Sequence, residues 1–225
     1  YRICFTQLMG GSLYKPTIYL LPDDYTTGSP QLDTYLGDGT SGVYIAFPQL
    51  EEGSYPTSLI YNGVEGSSIT RLADVINGAG DANTFNSSEG VLYAEIAALA
   101  DDLSSRRMSL SDGTAQNRVD IQYYINSNSI RIEIYANSVN VATFINTISD
   151  ITEFHKIAVK LKKDDFALWV DGIEIATDTN GDVPTGLNRL DLRNYNGSNP
   201  IISKIKSIKY INTTLSDTEL QNLTK

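Results

Sequence analysis

Apolar and polar residues alternate along several stretches of the chain. Ile130, Ile132 and Ile134 are separated by polar residues, and the same spacing recurs across 157–161. A period of two places one set of side chains in a core and the other set on the opposite face of a strand. These stretches therefore predict strands that bury one face and expose the other to water.

Turn signals separate these runs. Asp171-Gly172 lies between the apolar run 166–170 and the alternating run 173–175. Asp-Gly favours a two-residue hairpin because both positions need a positive φ. Short clusters of Asn, Ser, Thr, Gly and Asp divide the remaining apolar runs in the same way. Many short strands in succession indicate a β-sandwich.

Two segments depart from the strand pattern. Residues 93–100 are rich in helix formers, so propensity alone favours a helix there. Near the C-terminus, Ser216 and Glu219 have the spacing of a capping box, and Leu215 and Leu220 that of a hydrophobic staple. A short C-terminal helix is predicted.

Composition narrows the classes of partner. The chain has 225 residues and a formal net charge of −10. An acidic surface repels phosphate backbones and anionic lipid, so nucleic acid is an unfavourable partner. The single Cys excludes an internal disulfide and Cys-rich zinc folds, and the single His excludes any site that needs two histidines. No apolar run is long enough for insertion into a membrane. The 14 tyrosines, each with an apolar ring and a polar hydroxyl, are typical of partly solvated sugar sites and interfaces. The alternative is that tyrosine is frequent here because it favours β-strands.

The strand pattern is interrupted around residues 49–68. We expect a partial β-domain over 1–58, a linker over 59–68 and a second domain over 69–225. The first part has three candidate strands, at 1–7, 17–21 and 42–47. So few strands bury too little surface for independent stability. We therefore interpret this part as the later strands of a jelly roll that begins upstream.

Three landmarks in the second domain carry a resemblance. They are FNSSEGVLYAEI at 85–96, FHKIAVKL with FALWVDGIEI at 154–175, and IKSIKY with LSDTEL at 205–220. In this order they resemble laminin-G-like and concanavalin A-like lectin domains. The resemblance implies a jelly-roll β-sandwich with one C-terminal helix. It also implies that 93–99 is a strand, despite its helical propensity.

The phrase QLEEGSYPTS at 49–58, followed by TRLAD at 70–74 and NGAGD at 77–81, resembles segments of tailed-phage structural proteins. In such proteins a jelly roll similar to a carbohydrate-binding module ends in this phrase, and a laminin-G-like domain follows. The resemblance implies a fibre or spike protein on a virion surface, with an extracellular location and homotrimeric assembly.

The sequence does not contain a recognisable set of catalytic residues. Glucanases of similar shape need paired carboxylates in the pattern E-x-D-x-x-E, which the sequence lacks. Asp120 and Glu133 are interpreted as solvated strand positions. His155 is the only histidine that a Ser-His-acid hydrolase could use, and a half-buried structural role is the simpler interpretation. We predict that the chain is not an enzyme.

No cofactor is required by any motif, but Ca²⁺ is a candidate ligand. Asp178, Asn180 and Asp182 place oxygen ligands in one short loop, and several laminin-G-like domains bind calcium at a loop rim. Asp74, Asp81 and Asn83 form a second acidic loop. The alternative is ordinary turn chemistry, which uses the same residues.

Sugar binding calls for aromatic side chains beside amide and charged groups. Trp169 shares a strand face with Ala167, so it points outward if Leu168 and Val170 point inward. The candidate sugar-binding residues are Trp169, Tyr135, Tyr123, Arg193, Asn194 and Tyr195. The alternative is that these side chains merely cover the sheet.

The leading hypothesis is a non-catalytic carbohydrate-binding module that attaches a virion to host surface glycan. A structural decoration or oligomerisation domain without a glycan ligand is the second hypothesis. A polysaccharide-degrading enzyme is the third.

Overall fold

The computed structural model describes residues 80–225 without a break, and before them 39–40, 44–46, 48–52, 56–61, 63 and 67–70. The chain divides into two compact units, Tyr1–Ile69 and Thr70–Lys225. Cys4 and the candidate strands at 1–7 and 17–21 lie outside the described residues. Within the third candidate strand, residues 44–46 are described and are not in a strand. The partial jelly roll and the linker stay predictions.

Ten strands and one helix form the described part of the second unit. They are β1 Glu89–Ala98, β2 Arg106–Ser111, β3 Arg118–Tyr123, β4 Ser129–Ala136, β5 Val139–Thr147, β6 His155–Lys162, β7 Phe166–Val170, β8 Ile173–Asp178, β9 Arg189–Asp191, β10 Ser203–Ile211 and α1 Asp217–Thr224. Among the described residues no helix is long and apolar enough to cross a membrane.

The strands build two five-stranded antiparallel sheets. Sheet I has the order β10-β1-β6-β7-β8, and sheet II has the order β5-β4-β3-β2-β9. The crossovers between sheets are those of a sandwich rather than of consecutive hairpins alone. The predicted all-β sandwich with one C-terminal helix is confirmed.

The main core lies between the sheets. Ile130, Ile132 and Ile134 of β4 are all buried in it, as the alternation predicted, and Leu92 and Leu168 face them from sheet I. Burying such side chains supplies the main driving force for folding, at about 25 cal/mol per Å² of apolar surface.

A smaller apolar cluster lies on the outer face of sheet I. Leu220 of α1 is fully buried there, against strand residues Val91, Tyr93, Ala158, Ala167 and Trp169. The helix therefore covers the centre of sheet I, which would otherwise expose an apolar patch.

The predicted hairpin and helix start both form. Asp171 and Gly172 have φ of 49° and 80°, as a two-residue turn between β7 and β8 requires. A Cβ on Gly172 would lie 2.9 Å from Cγ of Lys225, so the close helix end also favours glycine. At the N-cap, the Glu219 carboxylate accepts hydrogen bonds from the backbone N–H and hydroxyl of Ser216, at 2.8 and 2.7 Å.

Candidate functional site

The outer face of sheet II is charged. It presents the residues that alternate with the core positions of β2, β3 and β4, and we call this surface the polar face. Its members are Arg107, Ser109, Arg118, Asp120, Gln122, Arg131, Glu133 and Tyr135. None of the three arginines was a candidate from the sequence.

Strand register brings the charges of the polar face together. Asp120 pairs directly with Ser109 on β2 and with Glu133 on β4. Its Oδ2 lies 3.1 Å from Nη1 of Arg107 and 2.9 Å from Nε of Arg118. Its Oδ1 accepts a hydrogen bond of 2.5 Å from the Ser109 hydroxyl. Asp120 thus holds two arginines in place from the centre of the sheet.

Glu133 extends the network toward β5. Its carboxylate pairs with Arg131, and its Oε2 lies 3.7 Å from Nη1 of Arg107. It also accepts a hydrogen bond of 3.4 Å from the Gln122 amide. Arg107 therefore bridges the two carboxylates.

The prediction that Asp120 and Glu133 are solvated is wrong. Asp120 is 0% exposed and Glu133 is 5% exposed. Neighbouring long side chains cover them, and the ion pairs offset the cost of removing the carboxylates from water.

Tyrosine rings hold two of the guanidinium groups from the side. Arg118 Cζ lies 3.6 Å from the ring centroid of Tyr135 and 5.3 Å from that of Tyr195. Arg131 Cζ lies 5.0 Å from the centroid of Tyr124. These cation–π contacts orient the two cations before any ligand arrives.

The network leaves donors unused. Nε of Arg107 and Nε of Arg131 are buried and have no hydrogen-bond partner among the described residues. Three guanidinium groups face two carboxylates, so the cluster keeps one positive charge in excess. Arg131, whose side chain is 25% exposed, is the part of the cluster that an anionic group such as a carboxylate can reach.

Trp169 does lie on the outer face of sheet I, as alternation predicted, but its ring is not available to a sugar. It is 6% exposed because Leu220 and its neighbours on α1 cover it. The expectation of an exposed tryptophan is therefore corrected.

Tyr123 points into the main core instead of toward a sugar. Its hydroxyl is 2.7 Å from the Ser203 hydroxyl, and burial raises its pKa well above the usual range. Its strand neighbour Gln122 occupies the polar face in its place.

Arg193, Asn194 and Tyr195 lie in the loop between β9 and β10. The Asn194 side chain stabilises its own turn, accepting a hydrogen bond of 3.0 Å from the Tyr195 backbone N–H. Tyr195 contacts Arg118 of the polar face, whereas Arg193 is exposed. Together with half-buried Tyr135, Tyr195 is the candidate that the fold brings to the arginines.

The candidate calcium residues Asp178 and Asp182 make other contacts. Asp178 Oδ1 accepts the backbone N–H of Asn180 at 3.0 Å, and Asp182 Oδ1 pairs with Lys163 at 2.7 Å. The described residues contain no group of three or more His, Cys, Asp or Glu side chains suited to a metal ion. In the second acidic loop, Asp81 accepts hydrogen bonds from Thr84 and Asn83, which lower its pKa and form an ordinary turn.

His155 has a structural environment. Its Nδ1 lies 2.5 Å from Oδ2 of Asp171, and its Nε2 lies 2.8 Å from the carbonyl oxygen of Asp150. Both ring nitrogens are engaged, so neither is available to take a proton from a serine.

No protein-family model matches the sequence, and no curated protein sequence matches it. The fold is similar to that of the Ruminococcus gnavus IT-sialidase CBM40, with 16% identity, a TM-score of 0.53, and 68% of this chain and 97% of that chain covered. The described unit has a carbohydrate-binding-module jelly-roll fold. That module bound to α2,3-sialyllactose gives 15% identity and a TM-score of 0.51 over 68% and 97% of the two chains.

A further neighbour is domain 4 of AbnA, a GH43 arabinanase from Geobacillus stearothermophilus, in complex with arabinotriose. It has 14% identity and a TM-score of 0.50, with 67% of this chain and 75% of that chain covered. The CBM40 neighbours are carbohydrate-binding modules, not catalytic domains. At these identities the likeness establishes the fold, and the polar face has to be judged on its own chemistry.

Proposed function

We propose that this chain is a non-catalytic glycan-binding module whose ligand binds at the polar face. The observation that carries the proposal is a cluster of three arginines with one positive charge in excess, in which tyrosine rings orient Arg118 and Arg131 and the Arg131 side chain is 25% exposed. Jelly-roll neighbours that are carbohydrate-binding modules support it, and one of them is bound to α2,3-sialyllactose.

The chemistry of the polar face favours a glycan that carries a carboxylate. A guanidinium group offers two parallel N–H donors, which match the two oxygens of a carboxylate. The excess positive charge is local, on a chain whose net charge is −10. Tyr124, Tyr135 and Tyr195 add apolar ring surface with polar tips, which suits the mixed character of a sugar.

Calorimetric titration with α2,3-sialyllactose and with lactose tests this assignment. Binding of the sialylated sugar should be stronger, and it should weaken as salt is raised. Arg131→Ala should raise its Kd by about tenfold or more, because a charged hydrogen bond is lost. Arg131→Lys should recover only part of the affinity, since lysine keeps the positive charge but lacks the paired N–H donors of a guanidinium group.

Lys204→Ala is the matched control, since it removes one exposed positive charge from sheet I and should leave the Kd unchanged. Arg131 is the most exposed of the three arginines, with a side chain 25% exposed, so its replacement disturbs folding least. Equal binding of the two sugars, or an unchanged Kd for Arg131→Ala, would overturn the assignment.

The finer proposal is that the module sits on a virion surface, in a homotrimeric fibre or spike, and attaches the particle to host glycan. The similarity of QLEEGSYPTS at 49–58 to tailed-phage proteins supports it. Repeated copies would raise a weak single-site affinity through effective concentration. Purified protein should then bind host cells and compete with phage adsorption. A protein that ignores host cells and host polysaccharide, with and without calcium, would instead be a structural decoration or oligomerisation domain.

A further inference from the structure

A concave surface, separate from the polar face, lies where the β4–β5 turn faces the loop that follows β8. It is a cleft with a volume of about 370 Å³. Its walls are Ala136, Asn137, Val139, Asn140, Val141, Asn180, Gly181 and Asp182. That volume lies within the range of small-ligand sites, and none of the polar-face residues lines it.

Both walls are held by hydrogen bonds from buried or constrained groups. The side-chain oxygen of Asn117 accepts the backbone N–H of Asn137 at 3.0 Å and that of Thr185 at 3.1 Å, so one side chain fastens both loops. On the other wall, the backbone N–H of Gly181 donates to Asp164 Oδ1 and its carbonyl accepts the Asp164 N–H, both at 3.0 Å. The cleft is thus preorganised.

Gly181 sets the width of the cleft. Its φ is 146°, and a Cβ there would lie 2.9 Å from Cβ of Val141 on the opposite wall. Only glycine allows the loop to approach β5 this closely.

The lining is rich in uncharged groups that both donate and accept hydrogen bonds. The side-chain amides of Asn137 and Asn180 make no hydrogen bond to any described residue. The Asn140 amide uses its oxygen to accept the Thr143 hydroxyl at 3.1 Å, which leaves its NH₂ group unused. Such amides match sugar hydroxyls, which are donors and acceptors as well.

Charge argues against an ion as the ligand. Asp182 is the one carboxylate in the lining, and its partner Lys163 lies 2.7 Å away. A hard cation needs several oxygen ligands and would have to displace this ammonium group. Val139 and Val141 instead add apolar surface for the C–H groups of a sugar ring.

We infer that this cleft is a second glycan site, specific for a neutral saccharide. It differs from the polar face in its residues and in the ligand it would bind, so either assignment can be wrong while the other holds.

The test is an NMR titration of the ¹⁵N-labelled full chain with cellotriose, maltotriose and mannotriose. At least one of them should shift the side-chain amide signals of Asn137 and Asn180 and the backbone signal of Gly181. Asn180→Ala should raise the Kd by about tenfold. Asn137→Gly should do the same, since it removes the amide but keeps the positive φ of 50°.

Asn222→Ala is the matched control, because Asn222 is an exposed asparagine on α1 and its loss should leave the Kd unchanged. Arg131→Ala should also leave it unchanged, which separates this cleft from the polar face. No shift with any of the three sugars, shifts only elsewhere, or an unchanged Kd in both cleft variants would overturn the inference. Shifts of the same amides with Ca²⁺ alone would assign the cleft to a cation instead.

Discussion

At the scale of single residues, Asp120 shows what a sequence leaves undetermined. Alternation predicts that it faces away from the core, and it does. Its partners depend on strand register, which places Glu133 of the next strand directly opposite Asp120. One residue of slip would reverse every face. The sequence therefore predicts strands and faces, but not the ion-pair network of the polar face.

Trp169 is the residue whose replacement should affect stability most clearly. Trp169→Ala would leave a cavity beneath α1, and such changes cost about 3–5 kcal/mol. The measurement is the free energy of unfolding from urea denaturation.

Trp169→Phe is the control for this variant. It keeps most of the ring volume and loses no hydrogen bond, because Nε1 of Trp169 has no partner among the described residues. We expect a smaller loss than for alanine. A Trp169→Ala protein as stable as wild type would show that α1 does not pack on the ring.

At the scale of elements, local sequence preference is overridden in β1 and followed in α1. Residues 93–98 carry helix formers but form a strand, because β1 is hydrogen-bonded on both sides, to β6 and β10. Tertiary pairing thus overrides propensity. The N-cap of α1, in contrast, is formed by Ser216 and Glu219, which are three residues apart, and there the sequence signal was sufficient.

The N-cap of α1 gives a stability prediction. Ser216→Ala removes a hydroxyl that donates to Glu219, and the loss of an N-cap side chain costs about 0.5–2 kcal/mol. Chemical denaturation at neutral pH should show the loss, whereas Asn222→Ala on the same helix should not be destabilising.

The same comparison should depend on pH. Hydrogen bonds from the Ser216 hydroxyl and backbone N–H lower the pKa of Glu219 in the folded chain. A lowered folded-state pKa stabilises the protein above the unfolded-state pKa, and this contribution is lost as the pH falls through the folded-state value. The penalty of Ser216→Ala should therefore shrink in acid. A penalty that stays constant below the pKa of a carboxyl group would contradict the capping role of Glu219.

At the scale of the whole molecule, both proposed sites and the apolar cores lie in one unit. The described core residues extend along the sequence from Phe85 to Leu220. The residues of the polar face and the cleft also fall within this stretch, from Arg107 to Asp182. We therefore expect a fragment of residues 70–225 to fold by itself, with one cooperative unfolding transition. It should also bind α2,3-sialyllactose with the Kd of the full chain, since every group of the polar face is retained. Circular dichroism and calorimetry would check both expectations. A fragment that folds but does not bind the sugar would show that residues 1–69 contribute to binding. A fragment that fails to fold would show that the described cores are insufficient for stability.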